Sequence, residues 1–225
     1  MKDTVLVNNT IADIFEDFKS NSEVYKVNQA IIRGKIEEDL KFSHALRDES
    51  FYETKIRATR ISGIDDVIPV IIPEFYAYDI KKGQHIEIIG QFRSKNCIDQ
   101  NGKKRLKLFL FAKYIVKFED QSEDYNSIFL QGYVCKKPIC RETPFGKEIT
   151  DLFIAINRPN NKTDYIPCIV WWKNEIIEKN LHIGDEISLI GRIQSRKYFK
   201  RFSQDSEEGE WREAYEVSAN KIKKI

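Results

Sequence analysis

The chain repeats itself, and that repeat limits the possible folds more than any single motif. Residues 31–36, IIRGKI, align with residues 129–134, FLQGYV, at an offset of 98. The same offset places Ile56, Ala58 and Arg60 on Ile154, Ile156 and Arg158, and the Ile68-Pro69 pair on Ile166-Pro167. Further on the offset becomes 101, and GQHIEIIGQFRSK (83–95) lies over GDEISLIGRIQSR (184–196). Collinear matches broken by one small insertion describe two tandem copies of one supersecondary plan. The copies divide at EDQSED (119–124), an acidic stretch without an apolar residue and suited to a linker. With 225 residues in all, each copy has the length of a small domain. The expected domains are 1–120 and 125–225.

Within each copy the pattern is that of strands. In the second, β-rich or alternating runs occupy 128–135, 149–157, 165–172, 187–196 and 214–222, with about one helical turn at 175–179. In the first, the equivalent strands fall near 28–36, 51–61, 66–73, 84–94 and 105–118. Five strands in about 100 residues, with a short helix between the third and fourth, is the plan of an OB-fold, a five-stranded Greek-key barrel. The expected fold is therefore all-β, two tandem OB-folds. A short N-terminal helix is added by the stripe Ile11, Ile14, Phe15 and Phe18, which packs on the first barrel in this reading.

Several functional classes are disfavoured. Cys97, Cys135, Cys140 and Cys168 contain no C-x-x-C pair, and His44, His85 and His182 complete no ligand set, so no metal site is expected. No Ser or Cys constellation reads as a catalytic triad and no Gly-rich phosphate loop is present, so no catalytic residue, cofactor or enzymatic activity is expected. The polar start and the lack of any apolar run of eighteen residues argue against a signal peptide or membrane span, and a cytoplasmic location is expected.

The second copy carries a more specific signature. It opens NSIFLQGYV, continues PICRETPFGKE and then AINR, has CIVWW in its third strand, and closes on GRIQSR. In that order and near that spacing, these pieces resemble the bacterial single-stranded DNA-binding proteins over roughly 100 residues. The first copy shares the strand skeleton but few of these surface residues. The resemblance implies a non-catalytic OB-fold that holds single-stranded DNA without base-specific readout, protecting it in replication, recombination or repair. It also implies base-stacking roles for Tyr165, Trp171 and Tyr198, which fall where the family keeps such aromatics. The alternative is a structural or assembly barrel pair with little nucleic-acid affinity.

Physical reading of the residues agrees with the resemblance. Alternation in 165–171 puts Ile166, Cys168 and Val170 on one face and Tyr165 and Trp171 on the other. Every base has a π-face, so an outward ring can stack on any sequence. From Tyr125 to Gln204 there are thirteen Lys/Arg against eight Asp/Glu, or +5, while the whole chain is +2. Arg192, Arg196, Lys197, Lys200 and Arg201 interleave with Tyr198, Phe199 and Phe202, the composition of an arm that tracks a nucleic-acid backbone. Its charges either meet phosphates, the favoured reading, or fold onto Asp205, Glu207, Glu208 and Glu210. Phe199 and Trp211 flank the 203–209 loop, where they stack on bases or cap the barrel. Arg158 and Lys173 are read as flanking the same groove.

The first copy has Val67 and Pro73 where the second has Tyr165 and Trp171, and is read as having lost its stacking aromatics. A structural role with weak auxiliary DNA contact is expected for it. From the ending NKIKKI after the last strand, no acidic tail of the kind by which family members recruit other enzymes is expected. Because family members typically assemble four barrels, two per chain point to a homodimer, the competing account being a monomer whose two barrels form one longer groove.

Overall fold

The computed structural model describes residues 27–99, 102–117, 123–143, 146–159, 161–171, 181–202 and 207–225. The expected helices at 11–18 and 175–179 lie outside these residues. The described residues form twelve strands: β1 (Asn28–Ile36), β2 (Lys41–Leu46), β3 (Glu49–Thr59), β4 (Asp65–Pro73), β5 (His85–Ile98), β6 (Lys104–Lys117), β7 (Tyr125–Val134), β8 (Ile139–Glu142), β9 (Glu148–Asn157), β10 (Thr163–Trp171), β11 (Glu186–Arg201) and β12 (Gly209–Lys224). One short helix, α1 (Glu74–Ala77), follows β4.

Their order in the sheet is β2-β3-β4-β6-β5-β1-β7-β11-β12-β10-β9-β8. The order is a mirror, each strand of the first half matched by the strand six places later in the second. Pairing of β3 with β1, and of β9 with β7, closes each half into a barrel. In both, the third and fifth barrel strands run parallel (β4 with β6, β10 with β12), and the other ladders are antiparallel. The fold is thus two tandem OB-fold barrels, each with one strand beyond the expected five. The added strands, β2 and β8, pair only with β3 and β9 and end the sheet at either side. They escaped the sequence reading because KFSHAL and ICRE are short and bury no residue fully.

Alternation places the core. On β10, Ile166, Cys168 and Val170 are buried at 0, 1 and 4% exposure, and the equivalent Ile68, Val70 and Ile72 on β4 are fully buried. Gly90 and Gly191 mark equivalent register shifts in β5 and β11. A Cβ at Gly90 would collide with the Phe111 carbonyl, and one at Gly191 with the Ser218 carbonyl. Only glycine lets the first strand of each long hairpin bend against its partner there.

The two barrels meet about a local two-fold axis. Strand β1 pairs antiparallel with β7 from Asn28↔Leu130 to Arg33↔Tyr125, so the pair Ala30↔Ile128 joins residues 98 apart. Equivalent side chains make equivalent bonds on either side. The Asn28 and Asn126 amides each donate to, and accept from, the backbone of Phe92 and Ile193 respectively, at 2.7–3.0 Å. Each long hairpin also lies against the other barrel. Ser195 N–H donates to Asp66 (3.0 Å) while its Oγ accepts from Val67 N–H (2.9 Å). Ser94 N–H donates to Asp164 (2.6 Å) while its Oγ accepts from Tyr165 N–H (2.8 Å).

Candidate nucleic-acid interface

The strand β10 ends at Trp171 on the outer face of the second barrel. Its indole N–H donates to Ser218 Oγ at 2.8 Å, which fixes the ring plane while leaving it half-buried. An open groove of about 1380 Å³ runs beside it, lined among others by Arg60, Tyr125, Lys147, Arg192 and Asn220. Arg192 is the informative cation. Its Nε is buried without a hydrogen-bond partner among the described residues. Burial, and secondarily the neighbouring Arg60, holds its guanidinium below the usual range. Arg60 itself is committed to Asp66 through two bonds of 2.6–2.7 Å. An anion entering this groove would meet the half-buried Arg192 side chain that lines it.

Tyr165, the other outward ring of β10, lies six residues away, roughly 20 Å along an extended strand. It is 38% exposed and stacks on Phe153 with centroids 6.2 Å apart and planes 13° apart. Lys136 Nζ sits 4.4 Å from the Phe153 centroid. This pair lies where the first barrel's β5 crosses, as the Tyr165–Ser94 bond shows. Phe153 and Lys136 were not found from sequence, although Phe153 alternates outward against buried Leu152 and Ile154.

The hairpin β11–β12 stays paired from Ile187↔Lys224 to Arg201↔Gly209 and overshoots the barrel. Beyond Ser195 its side chains divide between two faces. Arg196, Tyr198 and Lys200 continue the face of Arg192, with the Arg196 Cζ 5.3 Å from the Tyr198 ring centroid. Lys197, Phe199 and Arg201 occupy the other, where Phe199 packs edge-on against exposed Trp211 with centroids 5.5 Å apart. Lys197, Lys200 and Arg201 are exposed. The acids on β12 are partly engaged: Glu216 lies 3.4 Å from Arg196, and Glu210 accepts from Arg212. Lys173 and Asp205 lie outside the described residues.

Arg158 stands differently from its expected place on a groove wall. Both its Nε and Nη2 donate to Asp164, which is 1% exposed, and Nη2 also reaches the Ser94 carbonyl at 3.2 Å. It belongs to the junction between barrels, as Arg60 does on the other side. Sequence did contain this signal, since Arg60/Asp66 and Arg158/Asp164 recur at the offset of 98.

The described residues contain no group of three or more side chains able to hold a metal ion. Burial pushes the Cys168 thiol far above its usual range, which keeps it an inert core residue. No helix among them is long and apolar enough to cross a membrane.

With the geometry in place, known proteins resemble the chain at two levels. Residues 125–225 match the Single-strand binding protein family. The Single-stranded DNA-binding protein of Halalkalibacterium halodurans is 34% identical over 80 residues, covering 32% of this chain and 48% of that protein. Single-stranded DNA-binding protein 3 of Listeria innocua is likewise 34% identical over 80 residues, covering 32% and 50%. The chain therefore spans about half the length of the curated relatives it matches. Among solved structures, the wild-type single-stranded DNA binding protein from Thermus aquaticus superposes with a TM-score of 0.68 at 20% identity. That match covers 88% of this chain and 93% of the other, so the likeness in fold extends over both barrels.

Proposed function

We propose, with residues 125–225 as a single-strand binding protein domain, that the chain binds single-stranded DNA without base-specific readout and without catalysis. The observation that carries the proposal is the Trp171–Arg192 groove. A hydrogen-bonded indole lines the same open groove as the half-buried Arg192 guanidinium, which no acidic side chain among the described residues neutralises by an ion pair. A base stacks on the ring and a phosphate takes the guanidinium, and neither contact depends on sequence. From the groove the strand continues along Arg196, Tyr198 and Lys200, and at its other end along Tyr165, Phe153 and Lys136. The boundary near 120–125 separates a first domain from this DNA-binding one. Cytoplasmic protection of exposed strands during replication, recombination or repair follows from binding of this kind. Two chains supply the four barrels that wrapping requires.

The test is a titration of the intact protein with oligo-dT and oligo-rU, read by tryptophan fluorescence and light scattering together. Quenching that disappears in Trp171→Phe is expected, with a mass near twice 26.5 kDa. An unquenched spectrum and no bound oligonucleotide would leave a structural barrel pair. A monomer that still binds would remove the dimer alone.

A further inference from the structure

The first barrel was read from sequence as stripped of stacking residues, because Val67 and Pro73 replace Tyr165 and Trp171. Register shows that the aromatic has moved rather than gone. The paired bulges align Gly90↔Ala112 with Gly191↔Ala219. Phe111 therefore occupies the position of Ser218, the residue that holds the Trp171 indole, and Lys113 that of Asn220. Arg93 occupies the position of Gln194. On the third-strand side, Phe51↔Pro73 corresponds to Ile149↔Trp171. Where the second barrel sets a ring on β10, the first sets one on the adjacent β6, on the same outer face.

That ring is surrounded by the groups a nucleotide needs. The Arg93 Cζ lies 3.9 Å from the Phe111 centroid and the Lys113 Nζ 5.0 Å. Gln91 Oε1 accepts from Arg93 Nε and Nη2 at 3.1 and 2.6 Å, which fixes the guanidinium over the ring. Phe51 supports Phe111 from 5.9 Å, and His44 stacks on Phe51 at 4.9 Å with planes 13° apart. Two cations share one ring. The Lys113 ammonium is held below its usual range by burial and then by Arg93, with Glu49 opposing. A phosphate would offset that repulsion.

We propose that Phe111, Arg93 and Lys113 form a second stacking site for single-stranded DNA, on the first barrel. A base lies on the Arg93–Phe111 layer and its phosphate meets Lys113. The site rests on the proposed function and extends it. The local two-fold axis then relates two binding faces, and a long strand engages both while a short one occupies the Trp171 face.

The experiment uses the intact protein with oligo-dT of about 8 and about 35 nucleotides, one within and one well above the span of a single barrel (site sizes of ~4–16 nucleotides). Arg93→Lys keeps charge but loses the planar layer, and Lys113→Gln and Phe111→Leu remove the phosphate and ring contacts. Each is expected to weaken the long oligonucleotide about fivefold or more and leave the short one unchanged, whereas Trp171→Ala weakens both. Phe111→Leu is paired with Arg93→Lys because the latter leaves the apolar packing intact. Long-strand affinity unaltered by Arg93→Lys and Lys113→Gln, with Trp171→Ala still harmful, overturns the second site and spares the first. Failure of either oligonucleotide to bind wild-type protein overturns the underlying reading instead. A variant that lowers the mass in light scattering would assign this face to a contact between chains and also overturn the site.

Discussion

Trp171 shows how one side chain serves fold and binding together. Its ring is half-buried, and its N–H satisfies Ser218, whose side chain is itself almost wholly enclosed. Trp171→Ala is therefore expected to cost about 1–3 kcal/mol of DNA binding from lost stacking. It also leaves the Ser218 hydroxyl unpaired, a loss of roughly 1–3 kcal/mol in stability. Trp171→Phe separates the two, since a ring remains to stack while the hydroxyl is still orphaned. Thermal melts alongside equilibrium binding decide the matter: if Trp171→Phe binds as poorly as Trp171→Ala, the indole acts only through Ser218. The side of β10 on which each residue lies was legible from alternation alone, because strand periodicity is local. The pairing of Arg158 with Asp164 was legible in the repeat, but its reach to Ser94, 64 positions away across the barrel junction, was not. Phe111 was missed for the same reason, since its equivalence to Ser218 emerges only from strand register.

Among the elements, the β11–β12 hairpin departs most from its expected length. Apolar alternation ends near Arg196, so the sequence reading stopped the strand there, yet pairing continues to Arg201↔Gly209. The extension buries little and is held by its backbone ladder, in which Lys197 stands opposite Glu213 and Lys200 opposite Glu210. Those acids accept from Tyr215 and Arg212 instead, which leaves the lysines to phosphate. If about five phosphates are neutralised per chain, log K is expected to fall with log salt at a slope of roughly −3.5. Replacing Lys197 and Lys200 together by Ala should make that slope shallower by about one to two units. A slope that does not change would mean Glu210 and Glu213 already hold those ammoniums when DNA is bound. The short edges β2 and β8 carry the complementary lesson: neither hydrophobic period nor burial marks them, and hairpin geometry alone makes them strands.

At the scale of the whole molecule, duplication has produced an internal dimer. The apolar stretch VIPVIIP (67–73) of the first copy is already joined to the second barrel's hairpin, because Val67 N–H donates to Ser195. The junction is latched at two equivalent points, each a buried carboxylate that binds one arginine of its own barrel and one backbone N–H of the other. Asp66 and Asp164 are 0 and 1% exposed, so neither can be rehydrated if its partner is lost. Asp66→Asn or Asp164→Asn leaves a guanidinium that is 21 or 19% exposed without its counter-charge, which costs about 3 kcal/mol, the low end for a buried pair. In a chain of this size that lowers the melting temperature by on the order of 10 °C. The β1–β7 ladder and the shared apolar core survive either change, so unfolding is expected to remain a single calorimetric transition. The latches differ in what they position, because Asp164 anchors β5 beside Tyr165 whereas Asp66 anchors β11 over Val67. Asp164→Asn should therefore weaken DNA binding at the Tyr165–Phe153 pair, measured at a temperature where both variants are folded. Two separate transitions in the wild-type protein would show that the barrels fold independently, and the track across their junction would then lose its rigid support.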